Sequence, residues 1–330
     1  MKLNSSLSFP LQVQFDITNK CNFRCLHCYN ESGDNNICDS ELTDADVLSL
    51  FDEFKKFTPY NICFCGGEPL LRKNLIFQAS RIVKGRVPNL SIVTNGYLLD
   101  YDTFNELIES GVNRIQLSID GNNKETHEYI RQKKYSFENV FNALDICTKA
   151  KTGLTDLMVA FTPTKFNISE FPQLVDKLVA KGVTRIRVQP LMIMGRANKN
   201  KGLKPERYQY YQLMRYIHNI QTKYGSSIID WGDPVDHIIR YRTILSGVGN
   251  NLTIKANGNI VASPYIPISF GNVKKHSLSE YWAAGLCYIW QNPILQNYAS
   301  NINVLDDIGM KIDGFPILWE EDDLDLDLIG

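Results

Sequence analysis

The sequence contains no apolar stretch of about 20 residues, which is the length that a membrane-spanning helix requires. Its first 15 residues carry one Lys and no continuous apolar block, so they lack the regions of a secretory signal. These absences exclude a membrane protein of the helical type and favour a cytoplasmic location, where thiols stay reduced. Clustered cysteines would then bind a metal or act in catalysis rather than form disulfides.

The sequence also lacks a strong net charge, since 35 Lys and Arg stand against 36 Asp and Glu. Six of the acids lie within residues 320–330, which contain no basic residue, so the rest of the chain would carry a net charge of +5. That balance is far from the one typical of a nucleic-acid-binding protein. We expect the acidic segment to be flexible or loosely docked, although its alternating Leu and Asp could instead add an edge strand to a sheet.

Apolar runs bounded by turn residues alternate with amphipathic stretches about six times before residue 200. This alternation predicts parallel strands with helices outside, either as an open doubly wound sheet or as a full or partial barrel. The predicted strands are 11–17, 61–65, 90–94, 114–119, 156–162 and 185–190. The predicted helices lie near 43–57, 74–84, 101–110, 137–150, 168–181 and 205–223. Beyond residue 250, Asn257-Gly258 between two alternating runs predicts a β-hairpin, and a short helix follows near 277–290.

Three cysteines, Cys21, Cys25 and Cys28, lie within eight positions directly after the first predicted strand. Cysteines at this spacing in a loop can direct their thiolates at one centre. A structural zinc ion would need a fourth ligand, for which Cys38 is available. An iron–sulfur cluster could be held by three cysteines and would keep one iron open for a further ligand. The spacing alone leaves both interpretations open.

The segment CNFRCLHC (residues 21–28) matches C-x3-C-x-Φ-C and resembles the signature of the radical S-adenosylmethionine (SAM) superfamily, with His27 at the aromatic position. The turn Gly66-Gly67-Glu68-Pro69, after the second predicted strand, resembles the GGEP motif of that superfamily. Glycines there let the backbone approach a ligand closely, and Glu68 can accept a hydrogen bond from an ammonium group. Further SAM contacts implied by the resemblance are Thr94, Asn95, Ser118, Asp120 and Arg131.

The resemblance implies an α/β fold with a partial (β/α)6 TIM-like barrel. It also implies one [4Fe-4S] cluster on Cys21, Cys25 and Cys28, with SAM bound to the open iron. In that superfamily SAM is cleaved reductively to a 5′-deoxyadenosyl radical, which abstracts a hydrogen atom from the substrate. The implied protein partner is an electron donor of the flavodoxin or ferredoxin type, whereas no nucleic acid or membrane is expected as a partner.

Residues 246–282 resemble the SPASM or twitch extension of radical SAM enzymes, which here would be a small α+β unit containing the hairpin. The shared features are the hairpin turn, Gly271-Asn272, and the helix with Leu278, Glu280 and Trp282. That extension usually has cysteines for auxiliary clusters where this chain has Ser246 and Ser263, so we expect those clusters to be absent. The predicted division is a barrel over 1–195, an extension over 196–295 and a terminal segment over 296–330.

The resemblance predicts an enzyme of the oxidoreductase or isomerase type that modifies a ribosomally made peptide, by crosslinking or epimerisation. Two alternatives stay open: an enzyme acting on a small molecule such as a sugar, nucleoside or cofactor precursor, and a non-catalytic zinc- or cluster-binding interaction module. Epimerisation would need a hydrogen-atom donor, typically a thiol, and Cys287 is the predicted residue. The other candidate donors are Cys38, Cys63 and Cys65. We expect the basic segment 196–207 to be a solvated loop near the substrate entrance.

Overall fold

The computed structural model describes residues 9–34, 40–150, 153–243 and 250–330. Its strands are β1 (Gln12–Thr18), β2 (Asn61–Gly66), β3 (Asn89–Thr94), β4 (Arg114–Ser118), β5 (Asp156–Phe161), β6 (Arg185–Val188), β7 (Ile229–Trp231), β8 (Asn251–Ile254), β9 (Asn259–Val261), β10 (Ile268–Asn272) and β11 (Leu324–Asp325). Its helices are α1 (Asp44–Phe57), α2 (Lys73–Val83), α3 (Tyr101–Ser110), α4 (Lys124–Arg131), α5 (Ser136–Lys149), α6 (Phe171–Ala180), α7 (Arg196–Lys199), α8 (Arg207–Tyr224), α9 (Pro234–Thr243), α10 (Leu278–Ala283) and α11 (Pro293–Ser300). Across these ranges, no helix combines the length and apolar character needed to cross a membrane.

The described residues form one sheet in the order β11-β10-β9-β8-β1-β2-β3-β4-β5-β6-β7. Strands β1 to β7 are parallel neighbours in chain order, and β8 adds in parallel on the other side of β1. The predicted partial barrel is confirmed, and the structure extends the six predicted strands by β7 at one edge and β8 at the other. The crossover helices between the strands explain the parallel order, since parallel neighbours need a long connection.

Apolar residues at alternate positions of the barrel strands face the surrounding helices. In β1, Val13, Phe15 and Ile17 are fully buried, and the ring of Phe51 on α1 stacks on that of Phe64 in β2 with centroids 5.4 Å apart. Burying one such side chain stabilises the fold by roughly 1.5–3 kcal/mol. The core therefore lies between the sheet and the helices, and the other face of the strands is available to line a site inside the barrel.

The predicted hairpin is confirmed, because β8 and β9 are antiparallel and joined by the Asn257-Gly258 turn. Gly258 has φ +95°, which a residue with a side chain adopts only with strain. β10 adds antiparallel to β9, so the hairpin continues the barrel sheet rather than forming a separate one. The sheet and the apolar core both include residues on either side of the predicted boundaries at 195 and 295. The predicted division into three segments stays a prediction.

Leu324–Asp325 of the acidic segment join the sheet and its leucines pack on the core, so the expectation of a flexible or loosely docked tail is wrong. β11 pairs in parallel with β10, as the edge-strand alternative requires. Leu324, Leu326 and Leu328 pack against the core, while the carboxylate of Asp323 pairs with Lys255 at 2.6 Å. Apolar contact and paired charge together hold this segment against the sheet, which explains why it docks in spite of its six acidic residues.

Candidate active site

A cavity of about 250 Å³ lies at the carboxyl ends of the parallel strands, the usual position of active sites in such barrels. The three cysteines of the predicted cluster line this cavity together with most of the predicted SAM contacts. The sequence-predicted residues in its wall are Cys21, Cys25, His27, Cys28, Gly66, Gly67, Glu68, Thr94, Asn95, Ser118 and Arg131. Residues up to 110 positions apart in sequence are thus brought to one place.

The cysteine loop, residues 19–34, directly follows β1. The backbone N–H of Phe23 donates to Cys21 Sγ at 3.4 Å, and Arg131 Nη1 lies 3.9 Å from Cys25 Sγ. Burial raises the pKa of the Cys21 thiol to about 12 and that of Cys25 to about 11. Both thiols are therefore protonated at neutral pH when no metal is bound, and assembly of a cluster releases their protons.

The arrangement of these thiols bears on the choice between zinc and an iron–sulfur cluster. Within the part of the chain that the structure describes, no three His, Cys, Asp or Glu side chains are arranged to hold a single metal ion. A zinc ion requires its ligands around one centre, whereas each cysteine of an iron–sulfur cluster binds a different iron. The cluster that the resemblance implies and the zinc alternative therefore place different demands on the three thiols of the loop, and both stay predictions. Cys38, the proposed fourth zinc ligand, lies outside the described residues.

The Gly66-Gly67 turn packs directly against the cysteine loop. Gly67 N–H donates to the Thr18 carbonyl at 2.8 Å, and Glu68 N–H donates to the Lys20 carbonyl at 2.9 Å. A Cβ atom on Gly66 would overlap the Thr18 carbonyl, and one on Gly67 would overlap the Lys20 carbonyl. The close approach that the structure shows is to the backbone that carries the cysteines, and the predicted approach to a ligand stays a prediction.

Glu68 is buried at the N-terminus of the short 3-10 helix Pro69–Arg72, in which Pro69 is also buried. One carboxylate oxygen accepts from Thr94 Oγ1 at 2.7 Å and from Leu70 N–H at 3.0 Å, and the other accepts from Asn95 N–H at 2.8 Å. Burial raises the pKa of Glu68 in spite of these bonds. Glu68 thus ties the end of β2 to the end of β3, and its binding to a SAM ammonium stays a prediction.

Asp120 is fully buried behind the wall of the cavity. Its Oδ2 lies 2.6 Å from Arg131 Nη2 and 3.2 Å from His27 Nε2, and its Oδ1 accepts from Thr162 N–H at 2.8 Å. Burial alone would raise the pKa of Asp120, but Arg131 and His27 outweigh it and hold the pKa below its usual range. In this structure Asp120 orients Arg131 and His27 towards the cavity and does not itself line it.

Arg196 is a site residue that the sequence analysis missed. It is 9% exposed, donates to the carbonyls of Cys25 and Ser32 at 3.1 and 3.0 Å, and pairs with Asp34. The expectation of a solvated loop is therefore wrong at this position, because α7 packs on the cysteine loop. The charge pattern could not single out Arg196, because it is one of five basic residues in the segment. Only its contacts with the cysteine loop in the folded chain distinguish it from the other four.

A second cavity, of about 910 Å³, lies inside the barrel below the first. Polar strand residues line it, among them Gln14, Ser91, Gln116 and Arg187, and several also line the upper cavity. A signal for this lining was present in the sequence, since parallel strands are normally apolar on both faces. The strands reading QVQ (12–14), RIQ (114–116) and RIR (185–187) instead alternate, with the polar residues facing inward.

The predicted hydrogen donor, Cys287, is buried in the 3-10 helix Leu286–Gln291 and lines neither cavity, so the structure gives no support to that role. Two other candidates do face the barrel interior, with Cys63 Sγ 3.3 Å from Cys65 Sγ. Ser263, at an expected position of an auxiliary-cluster cysteine, hydrogen-bonds His237 Nε2 at 2.9 Å. Ser246, the other such position, lies outside the described residues.

Known proteins resemble this chain over most of its length, and residues 15–178 match the Radical SAM superfamily. The chain is 26% identical over 299 residues to Fe-coproporphyrin III synthase of Methanosarcina barkeri, covering 82% of this chain and 73% of that protein. It is 27% identical over 281 residues to PqqA peptide cyclase of Rhizobium meliloti, covering 83% of this chain and 73% of that protein.

Among solved structures, the fold is similar to that of SuiB from Streptococcus suis bound to S-adenosylmethionine. The TM-score is 0.66 at 14% identity, covering 91% of this chain and 76% of that one. For SuiB bound to its precursor peptide SuiA, the TM-score is 0.67 at 13% identity, covering 93% of this chain and 76% of that one. At this identity the likeness establishes the shared fold.

Proposed function

Because this chain belongs to the radical SAM superfamily and is an enzyme of that superfamily, we propose that it abstracts a hydrogen atom from a ribosomally made peptide. The observation that carries the proposal is that the upper and lower cavities share part of their walls, including Cys65, Gln189 and Tyr265. A substrate in the barrel would therefore reach the cavity where the cysteine loop lies.

The residues of the upper cavity fit one [4Fe-4S] cluster and SAM. Cys21, Cys25 and Cys28 would hold three irons of the cluster. Bound at the fourth iron, SAM supplies the 5′-deoxyadenosyl radical that abstracts the hydrogen atom. Arg131, whose guanidinium is held by Asp120, provides a forked donor suited to the carboxylate of SAM. The remaining predicted SAM contacts are His27, Gly66, Gly67, Glu68, Pro69, Thr94, Asn95 and Ser118.

A peptide is the proposed substrate because of the lining and size of the lower cavity. Gln14, Gln116 and Gln189 offer amide donors and acceptors, which match the groups of a peptide backbone. Its volume of about 910 Å³ is near the upper end of small-molecule sites, so several residues of a peptide would fit. Two similar proteins, a PqqA peptide cyclase and SuiB bound to the precursor peptide SuiA, carry peptides in their names.

A small anionic molecule is the second candidate substrate, and a specific observation favours it. Four arginines line the lower cavity, namely Arg114, Arg185, Arg187 and Arg240, and Arg114 Nε is buried without a partner among the described residues. A carboxylate or phosphate of the substrate would satisfy this guanidinium. The similarity to Fe-coproporphyrin III synthase supports the same alternative.

The first experiment is anaerobic reconstitution of the chain with iron and sulfide, followed by SAM and dithionite, which replaces the proposed flavodoxin- or ferredoxin-type electron donor. We expect about four irons per chain and formation of 5′-deoxyadenosine, measured by mass spectrometry. Cys25→Ala should lose both. Cys147→Ala, a buried thiol of α5 outside both cavities, should keep both. Bound zinc with no 5′-deoxyadenosine would contradict the proposal.

A second experiment separates the two substrate classes. Short peptides encoded beside the gene and a panel of anionic small molecules would each be incubated with the reconstituted enzyme, SAM and dithionite in H₂O and in D₂O. A crosslinked peptide loses two hydrogens, whereas an epimerised peptide keeps its mass in H₂O and gains one deuterium in D₂O. Reaction of a small molecule while every peptide is unchanged would replace the peptide proposal with the alternative.

A further inference from the structure

Two thiols inside the barrel have no part in the proposed cluster or SAM site. Cys63 and Cys65 are alternate residues of β2, so both side chains point to the same face of the strand. Their sulfur atoms are 3.3 Å apart, which is direct contact. Cys63 lines the lower cavity, whereas Cys65 lines both cavities. The thiol pair therefore lies where a substrate and the cofactor site would meet.

We propose that Cys65 returns a hydrogen atom to the carbon radical of the substrate and that Cys63 then captures the resulting sulfur radical. The inference rests on the proposed function, because the carbon radical arises from hydrogen abstraction by the radical SAM enzyme. It makes that function more specific. The carbon that loses a hydrogen atom receives another one from Cys65, as in epimerisation, and no crosslink is formed.

The surroundings of the pair give the two thiols different roles. Either sulfur can donate in the Cys63–Cys65 contact, and this contact together with burial and the nearby Asp16 raises the pKa of Cys65. The same contact, supported by Ser91 on the next strand, lowers the pKa of Cys63. Cys65 is assigned as the hydrogen donor because it is the thiol of the pair that lines the upper cavity, and the lowered pKa of Cys63 suits it to act as the thiolate.

A buried carboxyl group, that of Asp16, lies on the strand next to the thiol pair. It is the register partner of Cys65 across β1 and β2, it is 2% exposed, and its Oδ1 has no hydrogen-bond partner among the described residues. Burial raises the pKa of Asp16 to about 7, although Lys255 opposes the shift. A buried carboxyl group that titrates near neutral pH can accept and return the proton that the thiol pair exchanges during reduction and oxidation.

The proposed step balances in atoms and electrons. The S–H bond of Cys65 breaks and a C–H bond of the substrate forms, which leaves a sulfur radical on Cys65. This radical and the Cys63 thiolate join through a three-electron S–S bond, and one electron then passes to an oxidised carrier of the flavodoxin or ferredoxin class to leave a disulfide. In sum the dithiol gives one hydrogen atom to the substrate, one electron to the carrier and one proton, which leaves Cys63 and passes through Asp16 to solvent. A dithiol reductant restores both thiols by exchange.

The first test needs neither substrate nor SAM. The reconstituted chain is treated anaerobically with increasing amounts of diamide, and the peptide containing both residues is weighed by mass spectrometry. We expect this peptide to lose two hydrogens before Cys147 or Cys287 reacts, and we expect dithiothreitol to reverse the change. Separate thiols that persist while Cys147 and Cys287 are oxidised would overturn the role of Cys63.

The second test measures whether Cys65 is within reach of the radical chemistry. The reconstituted enzyme is equilibrated in D₂O, which labels its thiols, and is given SAM and dithionite without substrate. We expect 5′-deoxyadenosine to carry one deuterium in the natural enzyme, in Cys63→Ala and in the control Cys147→Ala. In Cys65→Ala and in Cys65→Ser, which nearly preserves the side-chain size, we expect 5′-deoxyadenosine without deuterium.

The outcomes separate the two proposals. If the natural enzyme forms no 5′-deoxyadenosine, the proposed function fails. If it forms unlabelled 5′-deoxyadenosine, or if both Cys65 variants still give the labelled product, the proposed function stands and the role of Cys65 is wrong. Should Cys65→Ala lose all product because the site is disturbed, Cys65→Ser and the natural enzyme decide the question by their labels alone.

Discussion

The buried ion pair between Lys255 and Asp323 permits a quantitative test of how the acidic segment is held. Lys255 Nζ lies 2.6 Å from Asp323 Oδ1, and the two side chains are 2% and 5% exposed. The ammonium also lies 4.3 Å from the centre of the Trp319 ring, and Asn259 Nδ2 donates to the second carboxylate oxygen of Asp323 at 3.0 Å. Both charges are thus removed from water and depend on each other.

Asp323→Ala would leave the Lys255 ammonium buried without its counter-charge. Removal of one member of a buried pair costs about 3–5 kcal/mol, and we expect the free energy of unfolding to fall by that amount. Lys255→Met should have a similar effect, because it leaves the carboxylate of Asp323 buried alone. The double variant Lys255→Met/Asp323→Leu should lose much less than the sum, since apolar residues of similar volume often replace a buried pair at little cost.

Urea unfolding at neutral pH, followed by circular dichroism, would measure all three variants. The matched control is Asp176→Ala, which breaks the exposed pair with Lys223, whose side chains are 53% and 59% exposed, and should cost no more than about 1 kcal/mol. If Asp323→Ala costs as little as the control, or if the double variant loses the full sum of the single losses, our account of the buried pair is wrong.

Three further predictions concern the cysteine loop and the response to acid. Gly67→Ala should reduce iron bound on reconstitution because its Cβ would overlap the Lys20 carbonyl, whereas Gly202→Ala, with nothing within 4 Å, should not; equal iron in both would refute the packing argument. Arg196→Lys should lower the iron content more than Lys199→Ala does. The reason is that a lysine cannot bind the carbonyls of Cys25 and Ser32 and the Asp34 carboxylate at once, as the guanidinium does. A larger loss of iron in Lys199→Ala would contradict this. Burial lowers the pKa of His237 to about 4, so its contribution to stability is complete above its unfolded-state pKa of 6.5 and is lost as the pH falls towards 4. His237→Gln should therefore flatten the fall of the urea midpoint between pH 6.5 and pH 4. An unchanged slope would refute this prediction.

Much of the fold could be predicted because its signals are local. Strand β2 was expected at 61–65 and lies at Asn61–Gly66, and α3 was expected at 101–110 and lies at Tyr101–Ser110. Both boundaries follow from apolar periodicity and from turn or capping residues, such as Asp100 at the start of α3. The hairpin at Asn257-Gly258 was predicted for the same kind of reason.

The elements that were missed depend on neighbours distant in sequence. Leu and Asp alternate in the acidic segment, but the β10 edge and the buried Lys255 that receive it exist only in the folded chain. Arg196 likewise resembles its basic neighbours until α7 is placed against the carbonyl of Cys25. The polar lining of the barrel is different, since the alternation in β1, β4 and β6 was visible and was not interpreted.

The pairing of β1 with β8 has a consequence for how the protein acquires its metal. Gln12 pairs with Asn251, so one edge of β1 cannot be completed until the chain has been synthesised beyond β8. Contacts between residues so distant in sequence slow folding, because the entropy of closing the intervening chain opposes them. Only after β8 has been synthesised can Tyr265 pack against Tyr29 of the cysteine loop, with ring centroids 5.8 Å apart. The thiols are therefore more accessible on the nascent chain than on the finished protein, and iron present during synthesis should be incorporated more completely than iron added afterwards.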